Sequence, residues 1–203
     1  MRETRMERIK ELEPGILYVD LDRFKDEEFV QVLPRLQKAK GIVFDARGYP
    51  LVWDILVPVV TDKPLASDRW GFLITRFPDR RKVIVEESDW TMRPRFPRIR
   101  AKVAFVTDGR AVSAAETSLS LIATHKVAPI VGGPTAGSNG SINVYVLPGG
   151  YRVSWTGMRA TKRDHSPHHG VGVLPTVRVR RTIRGVADGR DELVERALQL
   201  VKE

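Results

Sequence analysis

The stretch GRAVSAAETSLSLIATHK, residues 109–126, combines a serine, two small residues and a glutamate three positions after the serine. It follows AKVAFVTD, an apolar run with the character of a buried strand, and then takes up a helical period. Ser113 therefore falls where a strand ends and a helix begins. Two chemistries use that position. With Glu116 at N3, Ser113 has the spacing of a capping box, in which the two side chains satisfy unpaired N–H groups at the helix start. The same N–H groups, at the positive end of the helix dipole, can also hold an oxyanion during acyl transfer. Alanines at 114 and 115 leave room for a carbonyl to approach Ser113. Local sequence does not separate cap from nucleophile.

A nucleophilic serine needs a base. DHSPHHG, residues 164–170, offers His165, His168 and His169, with Asp164 beside them to orient an imidazole; the ordinary reading is a polar surface loop. Three histidines so close also raise metal binding. No HExxH or paired-histidine helix accompanies them, and no metal is expected. The chain has no cysteine, which excludes disulfides, thiolate metal sites and a cysteine nucleophile.

The elements that must position these residues read as α/β. ILYVDL (16–21) and GIVFDAR (41–47) are strand runs, the second continuous and apolar as in buried parallel sheets. DEEFVQVLPRLQKAK (26–40) is a helix that Pro34 weakens or divides. LVWDILVPVV (51–60) fits a short helix, and residues 61–100 loops and a hairpin with VIVEE as a strand. KVAFVTD, SAAETSLSLIATHK and APIVGG form a strand–helix–strand unit, hence a parallel pair with a right-handed crossover. SINVYVLPGGYRVSWT (141–156) is two alternating strands about a PGG turn. TVRVRRT (176–182) is a strand, and DGRDELVERALQLVKE closes the 203 residues as an amphipathic helix.

Composition sets the outer bounds. Hydrophobic residues make up 42 % and no apolar run approaches the ~20 residues of a membrane span. The charged start, MRETRMERIKELEPG, lacks a signal peptide's apolar stretch. As written the chain is cytoplasmic, with an exported, processed core as the alternative. The net charge of +9 is spread along the chain, with clusters at RPRFPRIR and VRVRRTIR but no nucleic-acid-binding motif. No nucleic-acid partner is expected.

Four segments in order resemble peptidase family S41, the carboxyl-terminal processing or tail-specific proteases. These are GIVFDARG, VAFVTDGRAVSAAE, APIVGGPTAGSNG and HHGVGVLPTVRV, spread over about residues 14–203. The resemblance implies a mixed sheet packed with helices, related to the crotonase and Clp-protease folds, with an added β-hairpin region. It implies one catalytic core domain over residues 1–203, without the family's PDZ and upstream helical parts. It implies a polypeptide substrate, no cofactor, Ser113 as nucleophile, and the N–H groups of Gly48 and Ala114 as oxyanion donors. The substrate would lie extended along a sheet edge, and Trp53, Trp70 or Trp90 would line a pocket.

Two departures stand out. The family's catalytic lysine position, in PTAGSNG, is Ser138, and Leu51 and Val52 replace a glycine pair. The base would then be His168 or His169, with Glu116 orienting it or serving only the cap. Otherwise it is a histidine upstream of the core, as in the tricorn-like branch, or, last, Lys162. A peptide-binding core without activity and a small-molecule esterase are the alternatives.

Overall fold

The structure, a computed structural model, describes residues 5–79 and 81–203. The first four residues of the charged N-terminal stretch lie outside them. The elements in chain order are β1 (Ile9–Glu13), β2 (Ile16–Asp20), α1 (Asp26–Gln37), β3 (Gly41–Asp45), α2 (Trp53–Val60), β4 (Leu65–Ala66), β5 (Arg69–Thr75) and β6 (Val83–Ser88). There follow β7 (Thr91–Met92), β8 (Lys102–Thr107), α3 (Ala114–Thr124), β9 (Ile130–Gly132), β10 (Ile142–Val146), β11 (Arg152–Thr156) and β12 (Met158–Thr161). β13 (Val177–Arg178), α4 (Ile183–Ala187) and α5 (Glu192–Lys202) end the chain.

The main sheet has the order β1-β2-β3-β8-β9-β13. It is parallel except for β1, which pairs antiparallel with β2. β2 and β3 are buried along their whole length because the sheet is covered on both faces. One face, with Leu17, Val19, Ile42, Phe44 and Phe105, packs with Phe29, Leu36, Leu56 and Leu119 from α1, α2 and α3. The other, with Tyr18, Val43, Ala104, Val106 and Val131, packs with Leu193, Val194, Ala197 and Val201 of α5. With Leu198 and Leu200, partly buried beside them, these four form the apolar side of the helix.

The strand–helix–strand unit forms as its pattern requires, and β5 with β6 supplies the hairpin expected between residues 61 and 100. Pro34 does not divide α1, which runs unbroken to Gln37. It lies on the exposed side of the helix, where water can satisfy the carbonyl that its ring leaves without a donor. The strand expected over 176–182 shrinks to two residues, because Thr182 instead caps α4 by accepting from the Gly185 N–H at 2.9 Å. β1 and β12 have no clear apolar alternation and were not anticipated. No helix among the described residues is long and apolar enough to cross a membrane.

The DARG turn after β3 is tied down by a buried ion network. Arg47 is buried; its guanidinium donates twice to Asp45, at 2.8 and 2.5 Å, and to Asp191 at 2.7 Å. Asp45 also accepts from the Tyr18 hydroxyl at 2.7 Å. Burial, and then the Asp45 carboxylate, push the Tyr18 hydroxyl far above its ordinary pKa. Asp191 caps α5 by accepting from the Val194 N–H. One arginine thus joins the turn before Gly48 to the start of the last helix.

Candidate active site

Ser113 has φ 57° and ψ −115°. A capping residue ordinarily has an extended backbone, whereas this combination lies outside the regions open to side-chain-bearing residues and costs of order 1–3 kcal/mol. By strict geometry the Ser113 hydroxyl makes no capping hydrogen bond, although it stands near enough to the Glu116 N–H for a looser pair. Its N–H donates to Ser138 O at 3.0 Å and Glu116 Oε2 at 3.1 Å. Surroundings thus hold the residue in a conformation that a cap does not need.

Glu116 is buried and organises the loop that follows β9. Its Oε1 accepts from the Thr135 hydroxyl at 2.6 Å and the Gly137 N–H at 2.7 Å, and its Oε2 from the Ser138 N–H at 3.0 Å as well as from Ser113. Burial works to raise its pKa, but the imidazole of His168 and these donors outweigh it and hold the carboxyl below its ordinary value. His168 is fully buried, with Nε2 3.4 Å from Glu116 Oε1. That contact is not aligned as a hydrogen bond, and neither ring nitrogen has a partner among the described residues. The backbone and hydroxyl donors are therefore the firmer part of the clamp.

Ser113 stands between two cavities. One, of about 490 Å³, is lined by Trp70, Phe72, Trp90, Ala114, Asn139 and Met158, among others. The second, of about 410 Å³, is lined by Tyr49, Ser138, Asn139, Ile142 and Trp155, among others. Asn139 is fixed at their junction by donating to the Thr117 hydroxyl at 3.0 Å. Gly48, beside Tyr49, has φ 127°. A Cβ there would come 2.6 Å from the Asp22 carboxyl carbon, which is held because its Oδ1 accepts from the Tyr49 N–H at 2.7 Å. Among the described residues, the N–H groups of Gly48 and Ala114 have no acceptor.

The structure brings Ser113, Ala114, Glu116 and His168 into one cluster, with the Glu116 carboxylate between the serine and the imidazole. It does not bring a histidine to the serine hydroxyl: neither cavity has a histidine, lysine or carboxylate in its lining. His169 is exposed, and its Nε2 accepts from the Ala160 N–H at 3.0 Å. Asp164 accepts from the Ser166 hydroxyl and N–H, at 2.6 and 2.9 Å, so its carboxylate is bound to serine and not to an imidazole. Lys162 lies in the same loop and lines neither cavity. Trp70 and Trp90 line a cavity, whereas Trp53 is core, 6.2 Å from Phe105. Tyr49, Phe72, Asn139, Trp155 and Met158 were not singled out by sequence, since nothing in their types or spacing separates pocket from core. Among the described residues no group of three or more His, Asp or Glu side chains is placed to hold a metal.

The sequence model of peptidase family S41 matches residues 15–179, and the chain belongs to that family. Among solved structures, a Parabacteroides merdae protein described as a peptidase is 18 % identical with a TM-score of 0.80, covering 95 % of this chain and 63 % of its own. Mature CPAF is 14 % identical with a TM-score of 0.72, over 92 % of this chain and 52 % of its own. The photosystem II D1 C-terminal processing protease is 19 % identical with a TM-score of 0.56, over 81 % of this chain and 42 % of its own. The fold is thus that of S41 proteases, and the chain spans 42–63 % of the length of these structures. No curated protein matches the sequence.

Proposed function

We propose that residues 1–203 are a serine-peptidase core that hydrolyses peptide bonds through an acyl-enzyme on Ser113. The hydroxyl attacks the carbonyl and the N–H groups of Gly48 and Ala114 hold the oxyanion; the C–N bond then breaks, the amine leaves with the proton taken from Ser113, and water hydrolyses the acyl ester to release the acid and restore the hydroxyl. No cofactor is required. The observation that carries this reading is the strained backbone of Ser113 at the mouth of two cavities. The proton of Ser113 passes to an imidazole. Within the chain that is His168, which Glu116 orients, or His169, and either must move to reach the hydroxyl. The alternative donor of the imidazole is a segment outside this chain.

A second reading is a core that binds peptide without cutting it. The two cavity linings, which hold no acid or base apart from Tyr49, favour it. Fluorophosphonate labelling followed by intact mass separates the two. One adduct on the wild type and none on Ser113→Ala supports the hydrolase. No adduct on either folded protein leaves the binding reading. Parallel assays with ester and peptide substrates distinguish a peptidase from an esterase.

Gly48→Ala tests the oxyanion turn. The added Cβ cannot be placed without moving either the backbone or Asp22. Labelling is expected to slow by about 10²-fold, the usual effect of losing one oxyanion donor. An unchanged rate in a folded variant would remove Gly48 from the site.

A further inference from the structure

We infer that the cavity walled by Trp70, Phe72, Trp90 and Met158 receives the side chain of the residue whose carbonyl Ser113 attacks, and that it selects large apolar side chains. The inference rests on the serine-peptidase reading for the word "attacks", but the pocket's preference can be measured without it.

The pocket is built by strand register. Trp70 and Phe72 lie two apart on β5 and so share one face. Phe72 pairs with Met158 of β12, and Trp70 with Ser88 of β6. Cross-strand partners stand side by side on the same face. That face, closed by Ala114 and Thr117 at the start of α3, is the cavity wall.

The lining carries no charged side chain. Of its polar groups, Asn139 donates to Thr117 and the Ser141 N–H donates to the Met158 sulfur at 3.1 Å, whereas the buried Trp70 indole N–H has no acceptor among the described residues. Its walls are mainly aromatic and thioether surface, with the Trp70 N–H as one free donor, in a volume of about 490 Å³, within the ~300–1,000 Å³ of small-ligand sites. Glu86 stands directly opposite Phe72 on β6 and so brings a carboxylate to the same face, beside the lining and not within it. An acidic side chain is therefore disfavoured.

The assignment to the attacked residue, and not to the one after it, follows from Ala114. Its N–H, without an acceptor among the described residues, is one of the two oxyanion donor candidates, and Ala114 lines this cavity and not the second. A carbonyl oxygen aimed at that N–H sets its carbon at the mouth of this cavity. The side chain nearest to a carbonyl is that of its own residue.

The test uses peptides acetyl-Ala-Ala-Xaa-Ala-Ala-amide with Xaa as Ala, Leu, Phe, Lys or Glu. Binding to Ser113→Ala is followed by tryptophan fluorescence, and cleavage by the wild type by mass spectrometry. Leu and Phe peptides are expected to bind about tenfold or more tightly than Ala, the range for added methylenes in an apolar pocket, with Glu weakest. Met158→Trp, which fills the cavity, is expected to abolish the preference. Cleavage, where it occurs, falls after Xaa. Equal binding across the series, preference for Lys or Glu, no binding by any peptide at millimolar concentration, or cleavage before Xaa overturns the inference. Preferential binding without cleavage or labelling leaves the pocket standing and overturns the peptidase reading.

Discussion

Ser113→Gly is expected to end the reaction with fluorophosphonate and with peptides, and at the same time to raise the thermal midpoint. The loss of rate is about 10⁶-fold, the scale on which a catalytic serine is missed. The gain in stability follows from φ 57° and ψ −115°, which glycine adopts without strain. Relief of about 1–3 kcal/mol is offset by about 0.5–1 kcal/mol of extra freedom in the unfolded chain. The net is about 1 kcal/mol, or a Tm higher by about 2–4 °C for a chain of this size. An ordinary capping serine behaves oppositely, since its replacement by glycine costs a few tenths of a kcal/mol. Differential scanning calorimetry of the variant therefore separates cap from strained nucleophile by sign. A lower Tm would show that the serine serves the helix.

Glu116→Gln is expected to lower stability by about 3 kcal/mol, through lost hydrogen bonds to a charged acceptor, and Tm by about 10 °C. The carboxylate accepts four hydrogen bonds, two on each oxygen. Glutamine has a single acceptor oxygen, and its NH₂ would point at two donors. The loop at 135–140 would come loose, and with it one side of both cavities, so labelling of Ser113 should slow as well. The pH dependence has a definite sign. Glu116 is held below its ordinary pKa of 4.5, so its contribution is complete above about that pH and is lost as pH falls through the folded value. The wild-type and variant stabilities should therefore converge on acidification below pH 4.5. Parallel curves in thermal melts from pH 7 to 3 would show that the carboxylate is not the clamp.

The parts of the fold that sequence disclosed were those with one unbroken pattern. The apolar runs ending at Asp45 and Thr107 could only be strands covered on both faces, and the stripe of α5 had to meet one of those faces. Pro34 misled because a proline's effect depends on which side of the helix it faces, and exposure is a tertiary property. β12 escaped notice because MRAT has no alternation; it is a strand because β5 offers it a partner. At the candidate site, the type and place of Ser113 were legible and its backbone was not. The positive φ comes from the bonds that Ser138 and Glu116 make to its N–H, across 25 and 3 residues of chain. The histidines were legible as types only. That His168 is fully buried against Glu116, while His169 is exposed on Ala160, depends on how the 164–170 loop folds under. The aromatic pocket depends on the register of β5 with β6 and β12, which no local window contains.

The order in which the chain is made gives the one-helix cover of the second sheet face a consequence for folding. Tyr18, Val43, Ala104, Val106 and Val131 are covered by residues 193–201, the final element of the sequence. All the strands of the main sheet precede that element, so a nascent chain can assemble the sheet with half of its interior still facing water. Contacts of such long sequence separation form late, and an uncovered apolar sheet face invites association with other chains in the meantime. Arg47 sharpens the dependence, because its second carboxylate partner, Asp191, also arrives only with α5. Synthesis therefore leaves an interval in which that apolar face of the growing chain is open to its neighbours.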